Sequence, residues 1–247
     1  MTDIHDHIRE FWDRDADTYD DSPSHAASDP LEAAAWRAAL RRALPEPGAS
    51  VLDAGAGTGA LSLLAAELGY RVTALDVSEG MLSKARGKAE EQGRSMTFVV
   101  GSAMEPPPGP FDAVMERHLL WTVPDPVGAL RAWREVTSPR GRLVLFEGVW
   151  GSTDLSRRLT DGAAKLLRGA LRTRPDHHAP YPEEILSALP LRAMASPRPF
   201  LEAVYAAGWT GVRIQRLRDV EWAAMLQQPW PLGRLEHRPR YALIADA

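Results

Sequence analysis

Apolar and polar positions along this chain follow two periods, and the switches between them mark its elements. Ser50-Val51-Leu52-Asp53 is a short apolar run that enters a glycine cluster, and Leu61, Leu64, Ala65 and Leu68 follow at helical spacing. The segment therefore reads strand, turn, helix. Gly69 closes that helix, and Arg71-Val72-Thr73-Ala74-Leu75-Asp76 supplies a second strand before Ser78 caps a helix through Met81, Leu82 and Ala85. Thr97-Phe98-Val99-Val100 and Phe111-Asp112-Ala113-Val114-Met115 give two more strands, with a proline-rich loop over residues 105–110 between them. A helix around residues 126–136 leads to the turn Ser138-Pro139-Arg140-Gly141 and a further strand over residues 142–146. Strands alternating with helices in this way predict an α/β protein with a parallel, doubly wound sheet.

Beyond Trp150 the pattern changes to helix after helix, with Ser152 or Thr153 as cap and Leu155, Leu159, Leu166 and Ala170 at helical spacing. The alternation returns when a helix over residues 199–207 stops at Gly208, followed by strands at Val212-Arg213-Ile214-Gln215-Arg216-Leu217 and Tyr241-Ala242-Leu243-Ile244-Ala245. Four stretches follow from this. Residues 1–45, helical and carrying Phe11, Trp12, Tyr19 and Trp36, form an N-terminal cap; residues 46–150 form the core. Residues 151–198 form a helical lid inserted over one end of the sheet, and residues 199–247 return to the core.

Lys+Arg 29 against Asp+Glu 33 gives a net charge of −4, which excludes a protein that coats nucleic acid through a basic surface. Hydrophobic residues at 45% and charged residues at 25% are enough to build an ordinary core. The cysteine count of 0 excludes a disulfide framework, a thiolate metal site and a cysteine nucleophile. The N-terminal stretch is acidic and polar where a signal peptide is basic and then apolar, and no apolar run approaches a membrane span, so a soluble cytoplasmic protein is expected. His5-Asp6-His7 and His177-His178 could bind a metal by composition, but without spaced carboxylates they read as terminal and loop histidines and no metal is expected.

The cluster Asp53-Ala54-Gly55-Ala56-Gly57-Thr58-Gly59-Ala60 sits between strand and helix, where glycines let the backbone approach a ligand at a helix N-terminus. Two spacings coexist in it. Gly55, Gly57 and Ala60 satisfy a dinucleotide fingerprint, while Asp53, Gly55, Gly57 and Gly59 form a pattern that opens with an acid. An acid there opposes a pyrophosphate and suits an ammonium group, which favours the second spacing. Asp76 ends the second strand and is placed to accept from both hydroxyls of a ribose.

Over nearly its whole length the sequence resembles the class I S-adenosylmethionine-dependent methyltransferases, and within them the small-molecule enzymes similar to those of ubiquinone and menaquinone biosynthesis. The resemblance is carried by the glycine cluster, by Val72-Thr73-Ala74-Leu75-Asp76-Val77-Ser78 with Gly80-Met81-Leu82, by Phe111-Asp112-Ala113-Val114, by Arg117-His118-Leu119-Leu120-Trp121-Thr122, and by Pro124-Asp125-Pro126 and Pro139-Arg140-Gly141-Arg142-Leu143. It implies a Rossmann-like, seven-stranded, mostly parallel sheet whose last strand, over residues 241–245, is antiparallel. It implies S-adenosyl-L-methionine as cofactor, with Gly55, Ala56, Gly57 and Gly59 under the methionine part, Asp53 near its ammonium, Asp76 on the ribose, and Val77 and Met81 against the adenine. The sequence departs from the family twice. Gly101-Ser102-Ala103 stands where many relatives carry an acid for the adenine amine, which leaves Ser102 and the Ala103 backbone for that role. Glu116 stands where the group carries Ser or Asn.

Methyl transfer rests on positioning and exclusion of water, and a base matters only when the acceptor must lose a proton. Glu116 and His118 leave the fourth strand where α/β sheets bind ligands, so both are candidate bases, and Arg117 can hold that carboxylate or the carboxylate of the cofactor. Tyr19 resembles the N-terminal tyrosine that closes over the cofactor in relatives. Trp12, His25, Trp36 and Trp121 add aromatic surface for a flat acceptor. An indole-like small molecule methylated on carbon or nitrogen is the expected substrate, with a phenol or quinone-type hydroxyl next. A nicotinamide-dependent oxidoreductase and a non-catalytic cofactor-binding module are the alternatives.

Overall fold

The computed structural model describes residues 4–22, 25–148, 155–171, 181–192 and 195–247. Seven strands form one sheet: β1 (Ser50–Ala54), β2 (Arg71–Asp76), β3 (Thr97–Val100), β4 (Phe111–Arg117), β5 (Thr137–Gly148), β6 (Thr210–Arg216) and β7 (Arg240–Asp246). Their order is β3-β2-β1-β4-β5-β7-β6, with the first five parallel and β7 antiparallel to both β5 and β6. The central strands are apolar runs because helices cover both faces of the sheet.

Those helices are α1 (Ile4–Asp15), α2 (Pro30–Ala43), α3 (Ala60–Glu67), α4 (Glu79–Glu91) and α5 (Pro126–Glu135), then α6 (Leu155–Leu171), α7 (Glu183–Ala188), α8 (Arg198–Ala206), α9 (Arg218–Leu226) and α10 (Leu232–Leu235). Alternate residues of β1 feed two cores, as the two-residue period of a strand requires. Val51 packs with Trp36, Leu40, Leu61 and Phe146 on one face. Leu52 packs with Leu130, Trp133, Phe200 and Trp209 on the other. Asp29, Ser78 and Asp125 cap α2, α4 and α5 with their side chains, and proline follows the cap in α2 and α5.

The structure extends the predicted elements in three places. β4 runs on to Arg117 because Glu116 and Arg117 pair with Leu145 and Phe146. The turn expected at residues 138–141 is absorbed into β5, where Phe111 pairs with Thr137 and Ala113 with Arg142, so a register shift takes up the extra residues. Between β6 and β7 lie α9 and α10, which bury Val220, Ala223 and Leu232 and which the pattern alone did not separate from loop. The expected caps Ser152 and Thr153 lie outside the described residues. Among those described, no helix is long and apolar enough to cross a membrane.

Candidate active site

The carboxyl ends of β1, β2, β3 and β4 open onto a cleft that α1 roofs with His5, Ile8 and Trp12. Its floor is the glycine turn. Gly55 and Ala56 donate their N–H groups to the Leu75 carbonyl at 2.8 and 3.0 Å, which ties the end of β1 to β2. Gly57 donates to the Asp76 carboxylate at 2.8 Å and has a φ of +56°, a conformation that favours glycine. A Cβ added there would meet no protein atom within 4 Å, so it would stand in the cleft itself. Gly59 does something else. A Cβ on it would come within 2.9 Å of the Ala85 Cβ, so it lets α3 pack on α4 and does not line the cleft.

Asp76, Val77, Met81, Ser102, Ala103, Arg117 and His118 all line the cleft. Asp53 and Ala56 face an adjoining recess that shares Tyr19, Gly55, Gly57 and Arg117 with it. Burial pushes the Asp53 carboxyl up to about 7 despite a 2.5 Å hydrogen bond from the Ser62 hydroxyl. Burial likewise raises Asp76 to about 6, against the N–H groups of Ser78 and Gly57 that favour its charged form. Both groups are therefore carboxylates poised to respond to a cationic or hydrogen-bonding ligand.

Residues 13–20 fasten the N-terminal segment to the two loops of the cleft. Asp13 accepts from the Ser78 hydroxyl at 2.5 Å and from Gly80 N–H at 3.2 Å. Asp20 accepts from the Thr58 hydroxyl at 2.6 Å and pairs with Lys88 at 2.6 Å, and Asp17 pairs with Lys84 at 2.7 Å. No sequence motif signalled these contacts. Since they join the segment to both loops that border the cleft, S-adenosylhomocysteine should slow amide exchange in residues 4–22 as well as in the glycine turn. Protection confined to residues 53–60 would show that the segment takes no part.

The turn after β4 corrects one expectation. Glu116 is fully buried beneath the cleft and does not line it. Its Oε2 accepts from the N–H groups of Leu119 at 2.6 Å and Leu120 at 3.2 Å, so the carboxyl braces the turn that a base would need to leave. Burial raises it to about 8. Behind it lies Glu147, which sequence reasoning missed although an acid closing the apolar run 143–146 was visible. Burial first, and then the Glu116 charge, hold Glu147 well above the usual carboxylate range. His118 does line the cleft, at a φ of +60°, with Nδ1 3.4 Å from Glu147 Oε2. Burial, and then the charges of Arg117, Arg240 and His25, push its imidazole well below the usual range and keep it neutral.

The aromatic residues divide. Trp12 and Tyr19 line the cleft, edge to face with centroids 5.9 Å apart. His25 stacks on Tyr19 at 4.4 Å from outside the cleft wall. Trp121 also lies outside it, packing against Tyr181, which the sequence reading had not singled out. Trp36 is 1% exposed in the core, donating to Glu32 and packing edge-on against Phe146, so its expected place at the acceptor is corrected. Large buried indoles supply area first. Among the described residues no three His, Asp or Glu side chains gather as a metal set, and His177 and His178 lie outside those residues.

Residues 52–145 match the family model for a methyltransferase domain. Over 242 residues the chain is 30% identical to a ubiquinone biosynthesis O-methyltransferase of Xanthomonas campestris pv. campestris (strain B100), covering 96% of this chain and 88% of that protein. The solved structure of Haemonchus contortus phosphoethanolamine N-methyltransferase 2 with S-adenosyl-L-methionine has a TM-score of 0.65 at 16% identity, over 100% of this chain and 60% of that one. Geranyl diphosphate C-methyltransferase from Streptomyces coelicolor A3(2) has a TM-score of 0.63 at 16% identity, over 99% and 98%. At such identities the two structures speak for the fold alone.

The chain belongs to the class I S-adenosylmethionine-dependent methyltransferases, and its cofactor is S-adenosylmethionine. The residues present fit that cofactor, since the bare Gly57 backbone leaves room in the cleft and the buried Asp76 carboxylate faces it. The nicotinamide and non-catalytic alternatives give way to methyl transfer as the activity.

Proposed function

We propose that the protein methylates a hydroxyl group on a small aromatic acceptor. The observation that carries this reading is His118, a neutral imidazole on the wall of the cleft that holds the glycine turn and Asp76. The relatives named as ubiquinone biosynthesis O-methyltransferases tip the reading from the ring carbon or nitrogen of an indole to oxygen. In this reading the glycine turn with Asp53 and Arg117 holds the amino-acid end of the cofactor, Asp76 holds the ribose, and Val77 and Met81 flank the adenine. The cofactor supplies a methyl group made electrophilic by its sulfonium. His118 accepts the hydroxyl proton as the oxygen is methylated, and Glu116 and Glu147 keep the turn beneath it in place. Tyr19, whose phenol burial holds protonated, donates a hydrogen bond toward the acceptor. Trp12 covers the ring. Residues 1–45 and 151–198 serve as caps that exclude water from a core made of residues 46–150 and 199–247.

A panel of catechols and hydroxyquinones, with indole as counter-probe, tests this through formation of S-adenosylhomocysteine. The expected result is turnover of an oxygen acceptor that His118→Gln lowers about a hundredfold in kcat, with cofactor affinity nearly unchanged. Methylation of indole alone, or a His118→Gln enzyme with native kcat, would reject it.

A further inference from the structure

Between ring centroids, Tyr181 lies 4.4 Å from Phe11 and 5.8 Å from Trp12, both on α1, and 5.9 Å from Trp121. Ile185 and Leu189 of α7 complete this apolar cluster. Trp121 belongs to the turn after β4 that also carries His118. Tyr181 itself is buried and does not line the cleft. Through one ring, the helical stretch after β5 reaches both the roof of the cleft and the turn that bears His118.

Trp12 packs against the same cluster and does line the cleft. It meets Phe11 at 88°, Tyr19 at 77° and Tyr181 at 90°, all edge to face. Such contacts favour one relative orientation, so together they fix the plane of an indole whose own helix leaves it a choice of rotamers. Phe11 and Tyr19 belong to the same N-terminal segment as Trp12. Tyr181 comes from far along the chain and ties the indole to the rest of the fold.

We propose that Tyr181 is a positioning residue for the acceptor: its ring holds the Trp12 indole in place over the cleft and fixes its separation from the turn that carries His118. Both Trp12 and His118 line the cleft, so that separation sets the space left for a flat ring. The glycine turn and Asp76, which hold the cofactor in the reading above, lie outside the cluster. Tyr181 therefore acts on acceptor binding and leaves cofactor binding alone. The inference rests on that same reading, in which an aromatic acceptor lies under Trp12.

Tyr181→Leu removes the ring and keeps apolar bulk, whereas Tyr181→Phe keeps the ring. Full chains labelled with 5-fluorotryptophan and saturated with S-adenosylhomocysteine report on Trp12, whose fluorine resonance is assigned through Trp12→Phe. That resonance should be single and narrow in the native protein and in Tyr181→Phe, and split or broadened in Tyr181→Leu. With catechol as acceptor, or indole if that is the ring methylated, KM should rise about fivefold or more in Tyr181→Leu, with kcat and the S-adenosylhomocysteine dissociation constant within about twofold of native. Tyr181→Phe should match the native protein in all three. Cofactor affinity lost in step with acceptor affinity, a narrow Trp12 resonance in Tyr181→Leu, or a Tyr181→Phe enzyme as impaired as Tyr181→Leu would each overturn the inference. If neither ring is methylated, the proposed function fails and the acceptor role of Tyr181 falls with it. An unchanged fluorine signal overturns the role of Tyr181 alone, since it is read without any acceptor.

Discussion

Gly57→Val should cut S-adenosylhomocysteine affinity by more than a hundredfold while the protein stays folded. Two effects combine in that result. Valine is branched at Cβ and strained at a φ of +56°, and a turn deformed there moves the N–H that Gly57 gives to Asp76. The side chain also has no protein neighbour within 4 Å to clash with, so its volume falls wholly within the cleft. The second effect separates this variant from ordinary destabilisation. Circular dichroism and the thermal midpoint without ligand should change little beside the loss measured by calorimetry, and retained affinity would displace the cofactor from the glycine turn.

The second large effect concerns the buried acid beneath the cleft. A carboxyl near 8 in the folded protein and near 4.5 when unfolded binds more protons folded than unfolded throughout that interval. Stability is therefore fullest below the unfolded value and is lost as pH rises through the folded one. Between pH 6 and pH 9 the native protein should lose on the order of 2–3 kcal/mol from Glu116 that Glu116→Gln does not lose. Thermal unfolding at the two pH values measures this directly: the variant should already melt above the native protein at pH 6, and by several degrees more at pH 9. A variant that melts lower by the same amount at both would mean that Glu116 is ionised in the fold and needed as such. Glutamine keeps an oxygen for the Leu119 and Leu120 N–H groups, so the turn itself is not the variable.

What the sequence made legible was local. Residues 50–60 carry strand, turn and helix in one stretch, and Asp53 and Asp76 close two adjacent strands, so period and glycine spacing sufficed to place them. The partners chosen across the fold were not legible. Trp36 carries the same composition signal as Trp12, yet one fills the core against Phe146 and the other lines the cleft. The face of a helix that meets the sheet is decided by elements far away in sequence. Glu116 misled for a related reason, because its position at the end of β4 was readable but the direction of its side chain, into the turn, was not. Asp13 and Ser78 are 65 positions apart, and no periodicity links a lone acid to the cap of a distant helix. Glu147 was visible as an acid in an apolar run, and the missing step was that its neighbour in space is another buried acid.

The strand order β5-β7-β6 has a consequence for how the chain is made. β7 is the last of the seven strands of this sheet to be made, and it is inserted between two earlier ones, pairing from Arg142 to Gly148 on one side and from Thr210 to Arg216 on the other. Until it emerges, β5 has an open edge and β6 has no partner at all. The nascent protein can assemble β1 to β5 with their helices, but β6 and β7 wait on a contact formed only once β7 has been made. During that wait the apolar run Leu143 to Phe146 is an unpaired edge, the kind of surface on which partly made chains stick to one another. Stop codons that remove residues 240–247 should therefore yield aggregated chains, even though every residue of the cleft has by then been translated.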